Sequence, residues 1–156
     1  LGCPYEGEVD PGRVAELAAR MTAMGCTEIT LGDTIGVGTP DKARSLVKAC
    51  AHGIGIERLS VHFHDTYGQA LANILACIEI GVTTVDTAVG GLGGCPYATG
   101  SAGNVATEDV IYLLDGLGIE SGVSLERLID ITESLCERLG HPPASRVARA
   151  RLARRH

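Results

Sequence analysis

The chain of 156 residues is long enough for one globular domain with a buried core, and 45 % apolar against 21 % charged residues argues against disorder. No apolar run approaches the roughly 18 to 20 residues that span a bilayer, and nothing at the start resembles a signal peptide. The net charge of −6 is unlike the basic character of most nucleic-acid-binding domains. Because the first residue is Leu1 and not Met, we expect the chain to begin within a longer protein.

The charge is unevenly distributed along the chain. Residues 1–145 hold 19 acidic and 8 basic residues, whereas the segment from Arg146 onward adds five arginines and no acid. We expect residues 141–156 to form a basic carboxy-terminal tail that is solvated or frayed at its end. Contact with an acidic neighbouring surface is the alternative.

The cysteines indicate a reducing compartment. Six of them, at positions 3, 26, 50, 77, 95 and 136, form no C-x-x-C pair and are irregularly spaced, which favours reduced thiols over a disulfide framework. The Ala-, Gly- and Arg-rich composition, without a visible targeting segment, favours a bacterial cytoplasm. If the protein is eukaryotic, we expect the mitochondrial matrix.

Predicted strands and amphipathic helices alternate along the chain. A first helix opens at Asp10-Pro11 and ends at Gly25. The other predicted elements are strands at 27–31, 58–64 and 82–88 and helices at 40–51, 68–80, 105–116 and 124–140. This alternation predicts right-handed βαβ units, a parallel sheet and an α/β fold.

The three strands, with a further strand end expected at LGC (1–3), make about half of an eight-stranded barrel, which needs roughly 200 residues or more. A small doubly wound sheet is the alternative, but the segment CPYEG lacks the phosphate-binding glycines of that fold. In each unit the polar residues cluster just after the strand, where α/β folds build their sites.

Two histidines stand at the carboxyl end of the second predicted strand, in the segment HFHDTYGQ. Because a strand alternates its faces with period two, His62 and His64 point to one side and the apolar residues around them to the other. Two neutral imidazoles side by side are suited to a divalent metal, although an H-x-H pair is also found with a purely structural role. With oxygen ligands added, the set favours Mg²⁺ or Mn²⁺ and does not exclude Zn²⁺ or Co²⁺.

A glycine-rich segment, GGLGGCPYATGSAGN, follows the third predicted strand at 90–104. It lacks the Lys and Ser/Thr of a P-loop, which disfavours nucleotide cleavage, and a loop of this kind can close over a substrate. Cys95 is its nucleophilic side chain. A small buried thiol is the alternative, but an unperturbed pKa near 8.5 also allows acid–base work near neutral pH.

Three further polar residues each have two interpretations. Asn104 is either the N-cap of the helix that follows or a metal ligand through its amide oxygen. Glu108 either favours the positive end of that helix or supports the site from behind. Asp33, in LGDTIG, is either a solvated turn residue or an active-site carboxylate.

Four segments together resemble the 3-hydroxy-3-methylglutaryl-CoA lyases: LGCPYEG, LGDTIGVGTP, VHFHDTYGQALANI and GLGGCPYATGSAGNVATEDVIYLLDGLGI. The similarity extends from Leu1 to about Leu139. The segment GLGGCPYA, with its cysteine, points to these lyases within the wider group of divalent-metal lyases and Claisen-type synthases. The resemblance implies a (β/α)8 TIM barrel, of which residues 1–140 would be the carboxy-terminal half, about strands 6–8 with the helices that follow.

The resemblance also implies roles for particular residues. His62, His64 and Asn104 would bind a divalent cation, Mg²⁺ or Mn²⁺, and Cys95 would be the catalytic cysteine on a mobile loop. Asp33 would be an active-site carboxylate and Glu108 a supporting catalytic residue. The implied reaction cleaves 3-hydroxy-3-methylglutaryl-CoA to acetoacetate and acetyl-CoA, in leucine breakdown and ketone-body formation, by an enzyme that is usually a homodimer.

The chain also departs from the family pattern. A fourth metal ligand, an Asp, and a catalytic Arg are implied on the first barrel strand, which has no counterpart here. We therefore expect the isolated chain to be inactive, with an open sheet edge that favours aggregation. The loop reads GSAGN where the family more often has GASGN, which leaves Asn104 in place.

Two other functions stay open at this point. One is a related enzyme on the same barrel, such as a homocitrate or isopropylmalate synthase or a hydroxy-oxoacid aldolase. The other is a non-catalytic half-barrel that binds a partner. The H-x-H pair fits the related enzymes, but the loop with Cys95 is not expected in them.

Overall fold

The computed structural model describes residues 1–94 and 103–155. Its strands are β1 (Gly2–Cys3), β2 (Gly7–Glu8), β3 (Ile29–Asp33), β4 (Leu59–Phe63) and β5 (Thr84–Asp86). Its helices are α1 (Pro11–Ala23), α2 (Pro40–Ile54), α3 (Ala70–Ile78), α4 (Thr107–Gly116), α5 (Leu125–Leu139) and α6 (Arg146–Leu152). The predicted alternation of strands and helices is confirmed, with ends shifted by a few residues.

Strands β3, β4 and β5 form a parallel sheet in that order, so the predicted α/β class is also confirmed. At positions 1–3 the sequence predicts the end of a further strand of the parallel sheet, and the structure differs there. There, β1 pairs antiparallel with β2 in a two-residue ribbon and does not join the parallel sheet.

The core lies between the sheet and helices α1, α2 and α3. Side chains from alternate positions of β3 and β4 point into it, and the opposite face of the sheet carries polar side chains. The buried core residues of these strands and helices include Ala18, Ile29, Leu31, Ala43, Leu46, Val47, Cys50, Leu59, Val61, Phe63, Ala70, Ile74 and Cys77. On the polar face the hydroxyls of Thr30 and Ser60 hydrogen-bond across the two strands at 2.7 Å. Burial of the apolar face fixes the strand register, because a slip of one residue would exchange the two faces.

Helix α3 begins later than the sequence predicts because the residues before it form a turn. The Asp65 side chain accepts a hydrogen bond from the Ala70 backbone N–H at 3.0 Å, and the Gly68 N–H donates to the Asp65 carbonyl. Gly68 has φ of 71°, a conformation that favours glycine. The turn carries the chain directly from the two histidines into the helix.

The basic segment is not frayed over Arg146–Leu152, which form helix α6, while Arg146 and Arg149 are exposed to solvent. The Asp109 carboxylate accepts hydrogen bonds from the Ser145 hydroxyl and from the Arg146 and Val147 N–H groups, which fixes the start of the helix on α4. Arg155 donates to Asp130 of α5 at 2.7 Å. The acidic surface that the basic segment contacts is therefore part of this chain.

Five cysteines lie in the described residues, and all five are free thiols. Cys50, Cys77 and Cys136 are buried, and burial raises the pKa of the Cys77 thiol to about 11. Within residues 1–94 and 103–155, no helix has the length and apolar character needed to cross a bilayer.

Candidate metal and active site

The candidate site lies at the carboxyl ends of the three parallel strands. β3 ends at Asp33, β4 at Phe63 and β5 at Asp86, and the loops that follow them begin at one edge of the sheet. Crevices at this edge are the usual position of active sites in α/β folds.

The two histidines are adjacent, as the alternation of a strand predicts. The ring centroids of His62 and His64 lie 5.2 Å apart, with the ring planes tilted by 59°. The Phe63 side chain between them is buried on the opposite, helix-covered face. Two imidazoles at this separation can both reach one metal ion.

Asn104 lies beside His64, and its N-cap interpretation is wrong. Helix α4 begins at Thr107 with Ala106 as its N-cap, whereas Asn104 forms an antiparallel bridge with His64. The bridge is held by neighbouring backbone bonds: the Asp65 N–H donates to the Gly103 carbonyl at 2.8 Å, and the Val105 N–H donates to the Phe63 carbonyl at 3.2 Å. The two histidines and the carboxamide therefore meet at one place, although they lie about 40 residues apart in sequence.

The surroundings of His64 favour its neutral form. Burial lowers its pKa, and the nearby His62 lowers it further. Asp33 and hydrogen bonds to the Asn104 side chain and the Thr34 backbone act in the opposite direction without reversing the shift. A neutral imidazole has a lone pair available for a metal.

Two further observations fit a metal at this position. The His64 Nδ1 atom is buried and has no hydrogen-bond partner among the described residues, which is costly for a polar atom unless something binds it. The Asn104 Nδ2 atom donates to the Leu92 carbonyl at 3.0 Å, so the amide nitrogen is already bonded. Nitrogen and carboxamide-oxygen donors suit a divalent cation of the Mg²⁺, Mn²⁺ or Zn²⁺ type.

Histidines, acidic residues and thiols do not form a metal site by themselves in the part of the chain that the structure describes. There, no group of three or more His, Cys, Asp or Glu residues is arranged to hold a metal ion. The candidate set depends on the carboxamide of Asn104 as its third donor.

Asp33 is not a solvated turn residue, because its side chain is fully buried. Its Oδ2 atom accepts a hydrogen bond from the Gly38 N–H at 2.8 Å, and its Oδ1 atom has no hydrogen-bond partner among the described residues. In the strand register Asp33 pairs with Phe63, one step away from the pair formed by Gly32 and His62. Its strand position therefore points away from His62, while its charge is close enough to raise the pKa of His64.

Glu108 is buried in the first turn of α4 and contacts the start of the glycine-rich loop. Both carboxylate oxygens accept from the Gly90 N–H, at 2.9 and 3.0 Å, and the Thr132 hydroxyl of α5 also hydrogen-bonds to one of them. Gly90 and Gly91 have φ of 65° and 69°, in the left-handed region. The observed contacts of Glu108 thus fix the entry to the loop, while Cys95 itself lies outside the described residues.

Sequence reasoning assigned no role to two residues of this edge, although it placed Asp86 in the polar cluster after the third strand. Asp86 ends β5 with its Oδ2 atom 3.8 Å from the His62 Nδ1 atom, and only the strand register reveals that proximity. Asn73 is buried in α3 and donates to the Gly38 carbonyl at 3.1 Å, which ties this helix to the loop after β3. A polar residue on the apolar face of the helix ALANILACI was the available signal for Asn73.

Known proteins share this chain's sequence and its fold. The HMGL-like family model matches residues 1–135. The mitochondrial hydroxymethylglutaryl-CoA lyase of Mus musculus is 53 % identical over 150 residues, covering 96 % of this chain and 46 % of the relative. The 3-hydroxy-3-isohexenylglutaryl-CoA/hydroxymethylglutaryl-CoA lyase of Pseudomonas aeruginosa is 54 % identical over 154 residues, covering 99 % of this chain and 51 % of the relative.

Solved structures agree with these relatives. A hydroxymethylglutaryl-CoA lyase from Pseudomonas aeruginosa superposes with a TM-score of 0.96 at 55 % identity, covering 99 % of this chain and 51 % of that one. A lyase from Acinetobacter baumannii, solved with coenzyme A and 3-methylmalate, gives a TM-score of 0.89 at 39 % identity, covering 96 % of this chain and 49 % of that one. The chain spans about half the length of the curated relatives it matches. The extent of these matches confirms the resemblance in the sequence, and the chain belongs to the HMGL-like family.

Proposed function

We propose that this chain carries part of the active site of a divalent-metal carbon–carbon lyase that cleaves 3-hydroxy-3-methylglutaryl-CoA to acetoacetate and acetyl-CoA. The observation that carries the proposal is the convergence of His62, His64 and Asn104 at the carboxyl edge of the sheet. The names of the relatives support this substrate, and the coenzyme A bound to the Acinetobacter baumannii lyase supports an acyl-CoA class.

His62, His64 and Asn104 would hold the divalent cation, with Mg²⁺ or Mn²⁺ as our preferred ions. When bound, such an ion lowers the pKa of a substrate hydroxyl and fixes the orientation of the substrate. The neutral His64 ring and its unpaired Nδ1 atom support the assignment. Three protein ligands leave positions for substrate oxygens and for the Asp that the family resemblance implies on the first barrel strand.

The reaction requires two proton movements around one bond cleavage. The tertiary hydroxyl of the substrate loses its proton, the adjacent carbon–carbon bond breaks, and its electron pair passes to the methylene carbon of the acetyl-CoA product. That carbon then takes a proton, and we assign the Cys95 thiol as its donor. Asp33 has one carboxylate oxygen without a described partner, which supports a role in accepting or holding a proton close to His64.

We assign Glu108 a supporting role. Its hydrogen bonds to the Gly90 N–H fix the backbone where the loop that carries Cys95 begins. Catalysis by Cys95 depends on its position relative to the substrate, and a displaced loop entry would displace the thiol.

We further propose that residues 1–140 form the carboxy-terminal half of a (β/α)8 TIM barrel, with residues 141–156 as a basic carboxy-terminal extension. The parallel order β3-β4-β5 and the coverage of about half of each relative support this arrangement. Activity then needs the strand that carries the implied Asp and Arg, so the isolated chain is inactive. We expect the complete enzyme to be a homodimer, in the cytoplasm of a bacterium or in the mitochondrial matrix of a eukaryote.

The test uses the full natural polypeptide that contains these residues. His62→Ala, His64→Ala and Asn104→Ala should each weaken Mn²⁺ binding measured by calorimetry and reduce acetoacetate release from 3-hydroxy-3-methylglutaryl-CoA. His52→Ala removes an exposed histidine of α2 and should change neither quantity. Wild-type turnover in His62→Ala or His64→Ala would refute the metal site. Acetyl-CoA-dependent condensation without acetoacetate release would instead favour a related synthase.

A further inference from the structure

The strand register places an acidic side chain next to one of the two histidines. Gly32 of β3, His62 of β4 and Asp86 of β5 are consecutive partners across the parallel sheet. Partners across adjacent strands point to the same face and lie about 5 Å apart. His62 therefore has a glycine on one side and a carboxylate on the other.

The distance between the two side chains agrees with this arrangement. The His62 Nδ1 and Asp86 Oδ2 atoms are 3.8 Å apart, with the His62 side chain 33 % exposed and that of Asp86 49 % exposed. On the other side of His62, Gly32 contributes no side chain, and a Cβ added there would meet only the Thr34 hydroxyl oxygen, at 4.0 Å. Asp86 is the ionisable partner that the structure gives this ring.

We infer that Asp86 is a positioning residue for His62, an inference that rests on the proposed metal site. The carboxylate would accept a hydrogen bond from Nδ1–H, which leaves Nε2 as the atom that faces the ion. The 3.8 Å separation exceeds a direct hydrogen bond, so the inference requires a small rotation of the half-exposed Asp86 side chain. A carboxylate behind a ligating imidazole fixes its tautomer and orientation.

Asp86 has this positioning role for His62 and not for His64. For His64, the polar groups close to the ring are the Asn104 side chain and the Thr34 backbone. For His62, the polar neighbour that the structure places beside the ring is the Asp86 carboxylate, 3.8 Å from Nδ1. The inference therefore assigns Asp86 to His62 and to no other member of the site.

The experiment measures Mn²⁺ affinity by calorimetry in the full natural polypeptide that contains this chain. Asp86→Ala should weaken binding by about 10- to 100-fold, the usual effect of removing such a partner. Asp86→Asn keeps a carboxamide oxygen that can accept from Nδ1–H, so it should retain most of the affinity. Asp115→Ala removes an exposed carboxylate in α4 and should leave the affinity unchanged.

A second readout reports the tautomer directly. In the metal-free protein, the ¹⁵N chemical shifts of the His62 ring should show Nδ1–H in the parent and in Asp86→Asn, with a larger Nε2–H fraction in Asp86→Ala. This measurement does not depend on enzyme activity, and circular dichroism checks that each variant folds.

The outcomes separate the inference from the proposed function. If His62→Ala abolishes Mn²⁺ binding while Asp86→Ala binds it as the parent does, the positioning role is refuted and the metal site stands. If Asp86→Asn loses as much affinity as Asp86→Ala, charge alone is responsible, and the positioning role is again refuted. If His62→Ala binds Mn²⁺ normally, the metal site and the inference both fail.

Discussion

The buried Glu108 carboxylate should stabilise the fold through the hydrogen bond that it accepts from the Gly90 N–H. Glu108 and Gly90 are both buried, so no solvent replaces that acceptor when it is removed. In Glu108→Leu the Gly90 N–H loses its partner, while the Thr132 hydroxyl keeps its bond to the Leu128 carbonyl. The buried apolar surface of the new Leu side chain offsets only part of the free energy lost with this hydrogen bond.

The expected magnitude follows from the number of groups left unpaired. One buried donor without a partner costs about 1–3 kcal/mol, and the lost bond is charge-assisted, so we expect Glu108→Leu to lower the free energy of unfolding by about 2–3 kcal/mol. Glu108→Gln should cost less than about 1 kcal/mol. Its oxygen can accept from the Gly90 N–H, and its amide can donate to the Thr132 oxygen.

The assay is urea denaturation of the full natural polypeptide that contains this chain, with the free energies of both variants compared at equal m-values. Glu137→Leu, at an exposed position of α5, is the matched control and should change stability by less than about 0.5 kcal/mol. Parent-like stability of Glu108→Leu would refute the reasoning, because it would mean that the carboxylate does not hold the loop. A large loss in both the Leu and the Gln variant would instead show that the charge itself is required.

Two further predictions concern a close backbone approach and a buried thiol. A Cβ at Gly103 would lie 2.2 Å from the Gly93 carbonyl oxygen, so Gly103→Ala should displace Asn104 and weaken Mn²⁺ binding measured by calorimetry. Gly53 lies in helix α2, and a Cβ added there would meet nothing within 4 Å. Gly53→Ala should therefore raise the free energy of unfolding by roughly 0.5–1 kcal/mol. Burial raises the pKa of Cys77 from its ordinary value of 9.0 to about 11. The contribution of the neutral thiol to the free energy of unfolding should therefore be complete below pH 9 and decline as pH rises toward 11. Alkylation with iodoacetamide at pH 8 should spare native Cys77, and its rapid modification there would contradict the burial.

The local sequence pattern was sufficient to predict the strands and helices and the shared face of the histidine pair. The alternation of apolar runs predicted the parallel α/β sheet, because each strand and helix must bury one apolar face. The period of two predicted that His62 and His64 share a side, since this geometry depends on one strand alone. The family motifs also contained His62, His64 and Asn104, which the structure brings together.

Contacts between distant segments were decided by the tertiary structure. The bridge between Asn104 and His64 depends on backbone hydrogen bonds from residues 103–105 to the end of β4, and these excluded the N-cap interpretation. The sequence left Asp33 open between a solvated turn residue and an active-site carboxylate. The structure buries it and bonds it to the Gly38 N–H, which excludes the solvated turn. The basic segment begins as a helix at Arg146 because the Asp109 carboxylate accepts hydrogen bonds from the Arg146 and Val147 N–H groups.

By itself, then, the sequence determined which residues can bind a metal or move a proton, because side-chain chemistry and strand periodicity are local properties. Only the tertiary structure decided which of them meet. The register of three parallel strands placed Asp86 beside His62, and the fold of the loop ends placed Asn104 beside His64. Both depend on pairing between segments far apart in the chain, which no local pattern specifies.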